Sequence, residues 1–235
     1  SARSRDSLRM KRPRPVIAID GPAGAGKSTV AQRLAEKLGY VLVDTGALYR
    51  GLAWLARERG IAWTDGPALG AFAGSLALRF VPVAGGAPRL FAGERDLSND
   101  IRTPEISMGA SDVSKHPEVR AALLDIQRQL GREGGVVLEG RDIGTVVFPD
   151  AEAKIFLTAG AETRARRRVH DLASRGIQAD FGQTLAEIQA RDAQDAGRSV
   201  APLRAAEDAV ILDTTELDIP AVVEEISRLA QAKGA

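Results

Sequence analysis

The sequence predicts an α/β fold: a parallel sheet of five strands flanked by helices and interrupted by a small antiparallel insertion. Three observations predict it. Val16–Asp20 is a short β-branched run that enters a glycine-rich turn and then a helix. Strand and helix patterns alternate from there on, which calls for a parallel sheet. Val136–Asp142 reads as a buried strand with a charged cluster, Glu139, Arg141 and Asp142, at its carboxyl end, where a doubly wound sheet keeps its chemistry.

The first strand runs into G-P-A-G-A-G-K-S-T, in which Gly21, Gly26, Lys27 and Ser28 fit G-x-x-x-x-G-K-[ST]. Glycines at 21, 24 and 26 let the backbone fold back with its N–H groups inward, while small Ala23 and Ala25 leave room for phosphates. Pro22 and Thr29 complete the stretch. Lys27 brings a cation to the β/γ oxygens, Ser28 offers a hydroxyl to Mg²⁺, and the next helix adds its positive end. That helix carries Val30, Leu34 and Leu38 on one face and stops at Gly39.

Tyr40–Val43 reads as the second strand. Asp44–Thr45–Gly46 then turns into a helix with Leu48, Leu52 and Leu55 that stops before Gly60. Asp65–Gly66–Pro67 starts a short helix. Leu76–Val81 and Arg89–Ala92 alternate like strands about a turn over Pro82–Pro88, so Leu76–Leu97 is read as an antiparallel insertion. Thr103–Pro104–Glu105 opens a helix marked by Ile106, Ala110 and Val113, and Pro117 opens another, with Val119, Leu123, Ile126 and Leu130, closed by Gly131. Lys154–Leu157 and Val210–Leu212 are the fourth and fifth strands. Of the two helices between them, one holds Arg164, Arg166, Arg167 and Arg168, a density that a merely solvated face does not account for. The other holds Leu185, Ile188, Arg191, Asp195 and Arg198, and helical spacing sustained to Arg198 puts both arginines on one stripe about Asp195. A Pro220-initiated helix with Val223, Ile226 and Leu229 ends the chain. There is no internal repeat or low-complexity linker.

With 235 residues, 44% of them apolar and 27% charged, the chain can bury a full core. No run approaches the length of a spanning helix, and no hydrophobic leader is visible, which predicts a cytoplasmic protein. Zero cysteines exclude disulfides and thiolate catalysis, and two histidines disfavour a histidine metal site. A hard ion on oxygen ligands remains, meaning Mg²⁺. The first 15 residues carry +5 and the remainder −4; this basic arm over 1–14 reads as a disordered tail rather than a nucleic-acid contact.

The phosphate loop alone leaves a small-molecule kinase, a GTPase switch, an ATPase module and a nucleotide-gated binding protein open. Asn99, the only asparagine, is not followed by lysine as N-K-x-D requires, and no L-S-G-G-Q segment occurs. Arg50, Arg141, Arg191 and Arg198 exceed what one nucleoside triphosphate needs, so a second anionic substrate is implied. By themselves Arg50 and the Arg191/Asp195/Arg198 group also suit solvated surface positions.

D-G-P-A-G-A-G-K-S-T, D-T-G-A-L-Y-R (44–50), I-R-T-P-E (101–105), E-G-R-D-I-G-T-V-V-F-P-D-A (139–151) and R-D-x-x-D-x-x-R (191–198) together resemble the bacterial cytidylate kinases over about residues 15–230. The resemblance implies a P-loop kinase with a central five-stranded parallel sheet. It divides the chain into a core (15–64, 102–160 and 201–235), a nucleoside-monophosphate-binding insertion (65–101) and a helical lid (161–200). It implies transfer of the γ-phosphate of ATP to CMP or dCMP with Mg²⁺ by a monomer. By the same resemblance Arg50 and Arg141 bind the acceptor phosphate, with Thr45 beside them. Ser111, Arg120 and Asp142 read cytosine. Asp195 and Arg191 address the acceptor ribose, and Arg191 and Arg198 reach the phosphates as the lid closes. Asp142 suits its role, because cytosine offers an exocyclic amine where uracil offers an oxygen. Thr45 stands where some members have serine, and Glu139, a candidate Mg²⁺ ligand, where some have aspartate. Kinases of the same architecture acting on UMP, AMP or shikimate are the neighbouring readings.

Overall fold

The structure, a computed structural model, describes residues 12–83 and 86–232; most of the basic arm, two residues of the expected 82–88 turn and the last three residues lie outside them. β1 (Val16–Asp20) is buried throughout and occupies the centre of a five-stranded sheet. It pairs in parallel with β6 (Val136–Gly140) on one side and β7 (Ala153–Thr158) on the other, and β2 (Val41–Asp44) and β8 (Val210–Asp213) form the edges. The chain leaves β1 toward β2 and later crosses to β7 and β8. The carboxyl ends near β1 therefore border the crevice where open sheets bind ligands.

Alternation along β1 divides the core. Ile17 and Ile19 pack with Val30, Leu34, Val223 and Ile226 of α1 (Lys27–Leu38) and α8 (Ile219–Gln231). Val16 and Ala18 face the opposite layer with Leu138, Ile143 and Phe148. Each fully buried isoleucine contributes about 1.5–3 kcal/mol. A third cluster, including Leu48, Leu52, Leu69, Leu90, Ile106 and Leu123, joins α2 (Thr45–Glu58), α3 (Gly66–Ser75), α4 (Pro104–Val113) and α5 (Pro117–Gly131) to the small sheet. The predicted helix starts hold for chemical reasons: Asp65 Oδ1 accepts from Ala68 N at 3.0 Å and Thr103 Oγ1 from Ile106 N at 3.2 Å, with proline in each first turn.

The small sheet holds β3 (Leu78–Val83), β4 (Gly86–Ala92) and β5 (Arg95–Asp96) in antiparallel order. Its first two strands run further into the expected 82–88 turn than the sequence pattern indicated. Pro82 lies inside β3, an edge strand, and the register shifts between Val81 and Val83; this is how a residue without an N–H is tolerated in a ladder.

Helices α6 (Ala161–Ser174) and α7 (Phe181–Ala196) pack against each other between β7 and β8. The helical spacing does not persist to Arg198. α7 closes at Ala196 with Gly197 as its cap, so Arg198 follows the helix instead of extending its stripe.

Of the tail expected over 1–14, the described part is docked. Arg12 Nη2 reaches Asp150 at 2.5 Å and Nη1 reaches Glu152 at 3.0 Å, with the guanidinium 5.4 Å from the Phe148 ring centroid. The other Glu152 oxygen accepts from Val16 N at 2.7 Å, the first residue of β1.

Candidate active site

The phosphate loop bends from β1 into α1 in a space that excludes side chains. Gly21 has φ +147°, and a Cβ there would lie 2.0 Å from the Leu157 carbonyl oxygen. Gly26 caps α1 without a side-chain bond, so the first amides of the helix are left for an anion. Lys27 is buried, and its Nζ donates to the Pro22 carbonyl at 2.8 Å, folded over the loop it belongs to. Burial, and then Arg141, push the pKa of Lys27 down.

Opposite it, Ser28 Oγ donates to Glu139 Oε2 at 2.9 Å. Glu139 is buried, and burial followed by the nearby Asp44 carboxylate raises its pKa. Thr45 Oγ1 donates to the Glu139 carbonyl at 2.7 Å, tying α2 to the end of β6. Thr29 lies exposed in the first turn of α1.

Arg141, Arg191 and Arg198 gather about Asp195. Arg141 Nε donates to Asp195 Oδ2 at 3.0 Å, and Arg198 stands 3.5 Å from the other oxygen of the same carboxylate. Arg191 is half-buried. Its Nε has no hydrogen-bond partner among the described residues, and burial together with Arg141 lowers its pKa to about 10. A guanidinium nitrogen buried without a partner beside other cations is a setting that an anion would stabilise. Arg50 is held at 2.6 Å by Asp44, whose other oxygen caps α2 through Ala47 N at 3.1 Å.

One residue beyond Arg141, Asp142 pairs with Arg120, and both side chains are buried. Arg120 also donates to the Ser114 carbonyl at 3.3 Å and lies over the Tyr49 ring. Ser114 Oγ in turn donates to the Ser111 carbonyl at 2.9 Å, so Ser111, Arg120 and Asp142 belong to one hydrogen-bonded chain. From α7, Gln194 Nε2 donates to Ser111 Oγ at 2.7 Å.

Several structural partners of this site escaped the sequence reading. Asp20, at the end of β1, accepts from Ile143 N at 2.8 Å and Gly144 N at 2.7 Å. It thereby fixes the turn of π-type geometry over Ile143–Val147 that follows Asp142. Burial raises its pKa to about 6. Its signal was present, an aspartate ending a buried strand just before a glycine. Asp44 carried the local signal of a helix-capping aspartate, with Ala47 and Arg50 within six residues of it, whereas Gln194 carried none, because its partner Ser111 lies on α4.

A family model described as cytidylate kinase matches residues 17–232. A cytidylate kinase from an Exiguobacterium species is 52% identical over 215 residues, covering 92% of this chain and 96% of that protein. A cytidylate kinase from Syntrophotalea carbinolica is 53% identical over 211 residues, covering 90% and 89%. Among solved structures, an uncharacterized protein from Eubacterium ventriosum superposes with a TM-score of 0.50 at 12% identity, covering 93% of this chain and 99% of that one, a likeness of fold alone.

Proposed function

The chain belongs to the cytidylate kinase family, and on that premise we propose that it transfers the γ-phosphate of ATP to CMP or dCMP, giving ADP and the nucleoside diphosphate. The observation that carries the choice of acceptor is the pairing of neighbours at the end of β6. Arg141 turns to the arginine cluster around Asp195, and Asp142 turns to Arg120. Consecutive residues thus address two regions, one suited to a phosphate and one to a base edge.

In this reading Gly21, Pro22, Ala23, Gly24, Ala25, Gly26, Lys27, Ser28 and Thr29 hold the donor. Arg50, Arg141, Arg191 and Arg198 hold the acceptor phosphate and the transferring group, and Asp195 and Arg191 address the ribose. Asp142 accepts from the exocyclic amine of cytosine, with Arg120 and Ser111 completing the base pocket and Thr45 beside the phosphate. An oxygen of the acceptor phosphate attacks the γ-phosphorus, and the bond from that phosphorus to the β,γ-bridging oxygen breaks. No protein nucleophile takes part. Lys27 and the arginines place the two phosphates in line and stabilise charge on the equatorial oxygens.

The paired oxygens of Ser28 and Glu139 fit Mg²⁺, a hard ion that takes few protein ligands and completes its shell with water and phosphate. When bound it supplies charge neutralisation at the β- and γ-oxygens. The reading includes a monomer acting in the cytoplasm; no helix among the described residues is long and apolar enough to cross a membrane.

The test is ADP release with CMP, dCMP, UMP, AMP and shikimate offered singly at equal concentration. Fast turnover with CMP and dCMP alone is expected. Faster turnover with another acceptor would remove Ser111, Arg120 and Asp142 as cytosine readers.

A further inference from the structure

The aspartate of the R-D pair that opens 191–198 has no part in the transfer described above, and neither has the run of arginines on α6. Arg164, near the start of α6, is buried, with 5% of its surface exposed. Its Nη1 and Nη2 form a two-toothed pair with Asp192 of α7, at 3.0 and 2.5 Å. Its Nε donates to the Ala159 carbonyl at 2.8 Å, just past the end of β7. The remaining direction of Nη1 is spent on the Ala23 carbonyl of the phosphate loop, at 3.1 Å.

That last contact bears on the donor site. The described chain has no cis peptide bond. In a trans peptide the C=O and the following N–H point in opposite directions. Holding the Ala23 oxygen toward α6 therefore turns the Gly24 N–H away from α6. The packing is close enough to keep it there: a Cβ on Gly24 would lie 3.0 Å from Arg164 Cβ and 3.2 Å from the Arg164 carbonyl oxygen. The same arrangement recurs two residues on. Thr214 Oγ1 lies 3.1 Å from the Ala25 carbonyl and accepts from Arg167 Nη1 at 3.1 Å. The same hydroxyl lies 3.1 Å from the Thr158 carbonyl, which also accepts from Thr214 N at 2.8 Å, so its one proton is shared between the end of β7 and the loop. Alternate carbonyls of the loop are thus held from outside.

We propose that Arg164 and Asp192 are positioning residues for the ATP phosphates: the pair locks the Ala23–Gly24 peptide with its amide facing the nucleotide, without touching the nucleotide. A planar fork is required, since a guanidinium can meet a carboxylate side-on and two carbonyls at once, whereas an ammonium cannot. Because Asp192 sits between Arg191 and Asp195 on α7, the same helix that carries residues toward the acceptor also sets the shape of the donor loop.

The inference rests on the phosphate loop being the ATP site, so ATP binding to the wild-type protein is measured first, by calorimetry without acceptor. No binding there would overturn the proposed function and this inference together. With wild-type binding established, Asp192→Asn and Arg164→Lys are each expected to weaken ATP about tenfold while the KM for CMP moves less than twofold. Arg164→Lys tests the fork directly, because it keeps the charge. If it binds ATP as the wild type does, the pair acts by charge alone and the inference falls. It falls also if ATP affinity in Asp192→Asn stays within twofold of wild type, or if CMP loses as much as ATP, the pattern of a general structural prop. Combining Arg164→Met with Asp192→Asn is expected to be no worse for ATP than Arg164→Met alone. Should Asp192→Asn not fold, Asp192→Glu keeps the charge but displaces the carboxylate, and the same ordering of ATP and CMP losses is required of it.

Discussion

Replacing Asp142 by alanine is expected to do two separable things. The Arg120 and Asp142 side chains are each 8% exposed. Removing the carboxylate leaves a buried guanidinium whose remaining hydrogen bond among the described residues is to the Ser114 carbonyl, at 3.3 Å, over the face of Tyr49. Breaking a buried pair from one side costs about 3–5 kcal/mol. In a domain of this size that lowers Tm by about 10 °C. The second effect is on substrate: a charge-assisted hydrogen bond to the base amine is worth about 1.5–3 kcal/mol, so the KM for CMP should rise about 10–100-fold. The KM for ATP should hold. Scanning calorimetry and steady-state kinetics on Asp142→Ala, Arg120→Met and the double variant separate the effects. Arg120→Met combined with Asp142→Ala removes the stranded cation and should recover most of the lost Tm, yet leave CMP recognition as poor as in Asp142→Ala. A double variant that stays as unstable as Asp142→Ala would refute the argument from the stranded charge. Equal losses for CMP and ATP would refute the assignment of Asp142 to the base.

Lys27→Ala should lower kcat by about 10³ or more with an unchanged circular dichroism spectrum, since the loop amides cannot replace its charge at the transferring phosphate; near-normal turnover in a folded variant would dismiss that role. Asp20→Asn should change how stability depends on pH. Burial raises the folded pKa of Asp20 from 3.8 to about 6, so its contribution is fully present below pH 4 and is lost as pH rises through 6. About 2 units correspond to ~3 kcal/mol, and wild type minus Asp20→Asn should fall by that much between pH 4 and 7 in chemical denaturation; a flat difference would contradict it. Chelation with EDTA should abolish ADP release and Mg²⁺ should restore it, with Glu139→Gln needing more Mg²⁺ than wild type. An unchanged Mg²⁺ requirement in Glu139→Gln would take Glu139 out of the metal's surroundings.

Much of this architecture was legible in the chain because its signals are local. A β-branched run before a glycine turn and a lysine marks β1 and the phosphate loop; Asp65 and Thr103 open helices through bonds within three residues, and Pro117 opens one through its fixed φ in the first turn. The extent of β3 and β4 was not legible, because Pro82 signals a turn and only the edge position of β3 allows it inside a strand. Arg198 misled in the same way. Its spacing from Asp195 is helical, but Gly197 ends α7, and the two still meet at 3.5 Å. The density of arginines on α6 hinted at a phosphate site. That Arg164 faces a loop carbonyl and not a phosphate depends on Asp192, 28 residues away in sequence, and no local pattern carries such a pairing.

The docking of Arg12 has a practical side for anyone reshaping this chain. Glu152 grips Arg12 with one oxygen and the first amide of β1 with the other, so the arm is fastened at the bottom of the central strand, at the end away from the phosphate loop. A truncation begun at Pro15, where the hydrophobic pattern starts, would discard the cation that Glu152 and Asp150 share at the foot of the sheet. Affinity tags and fusion partners therefore belong upstream of Arg12, which should be kept as part of the folding unit.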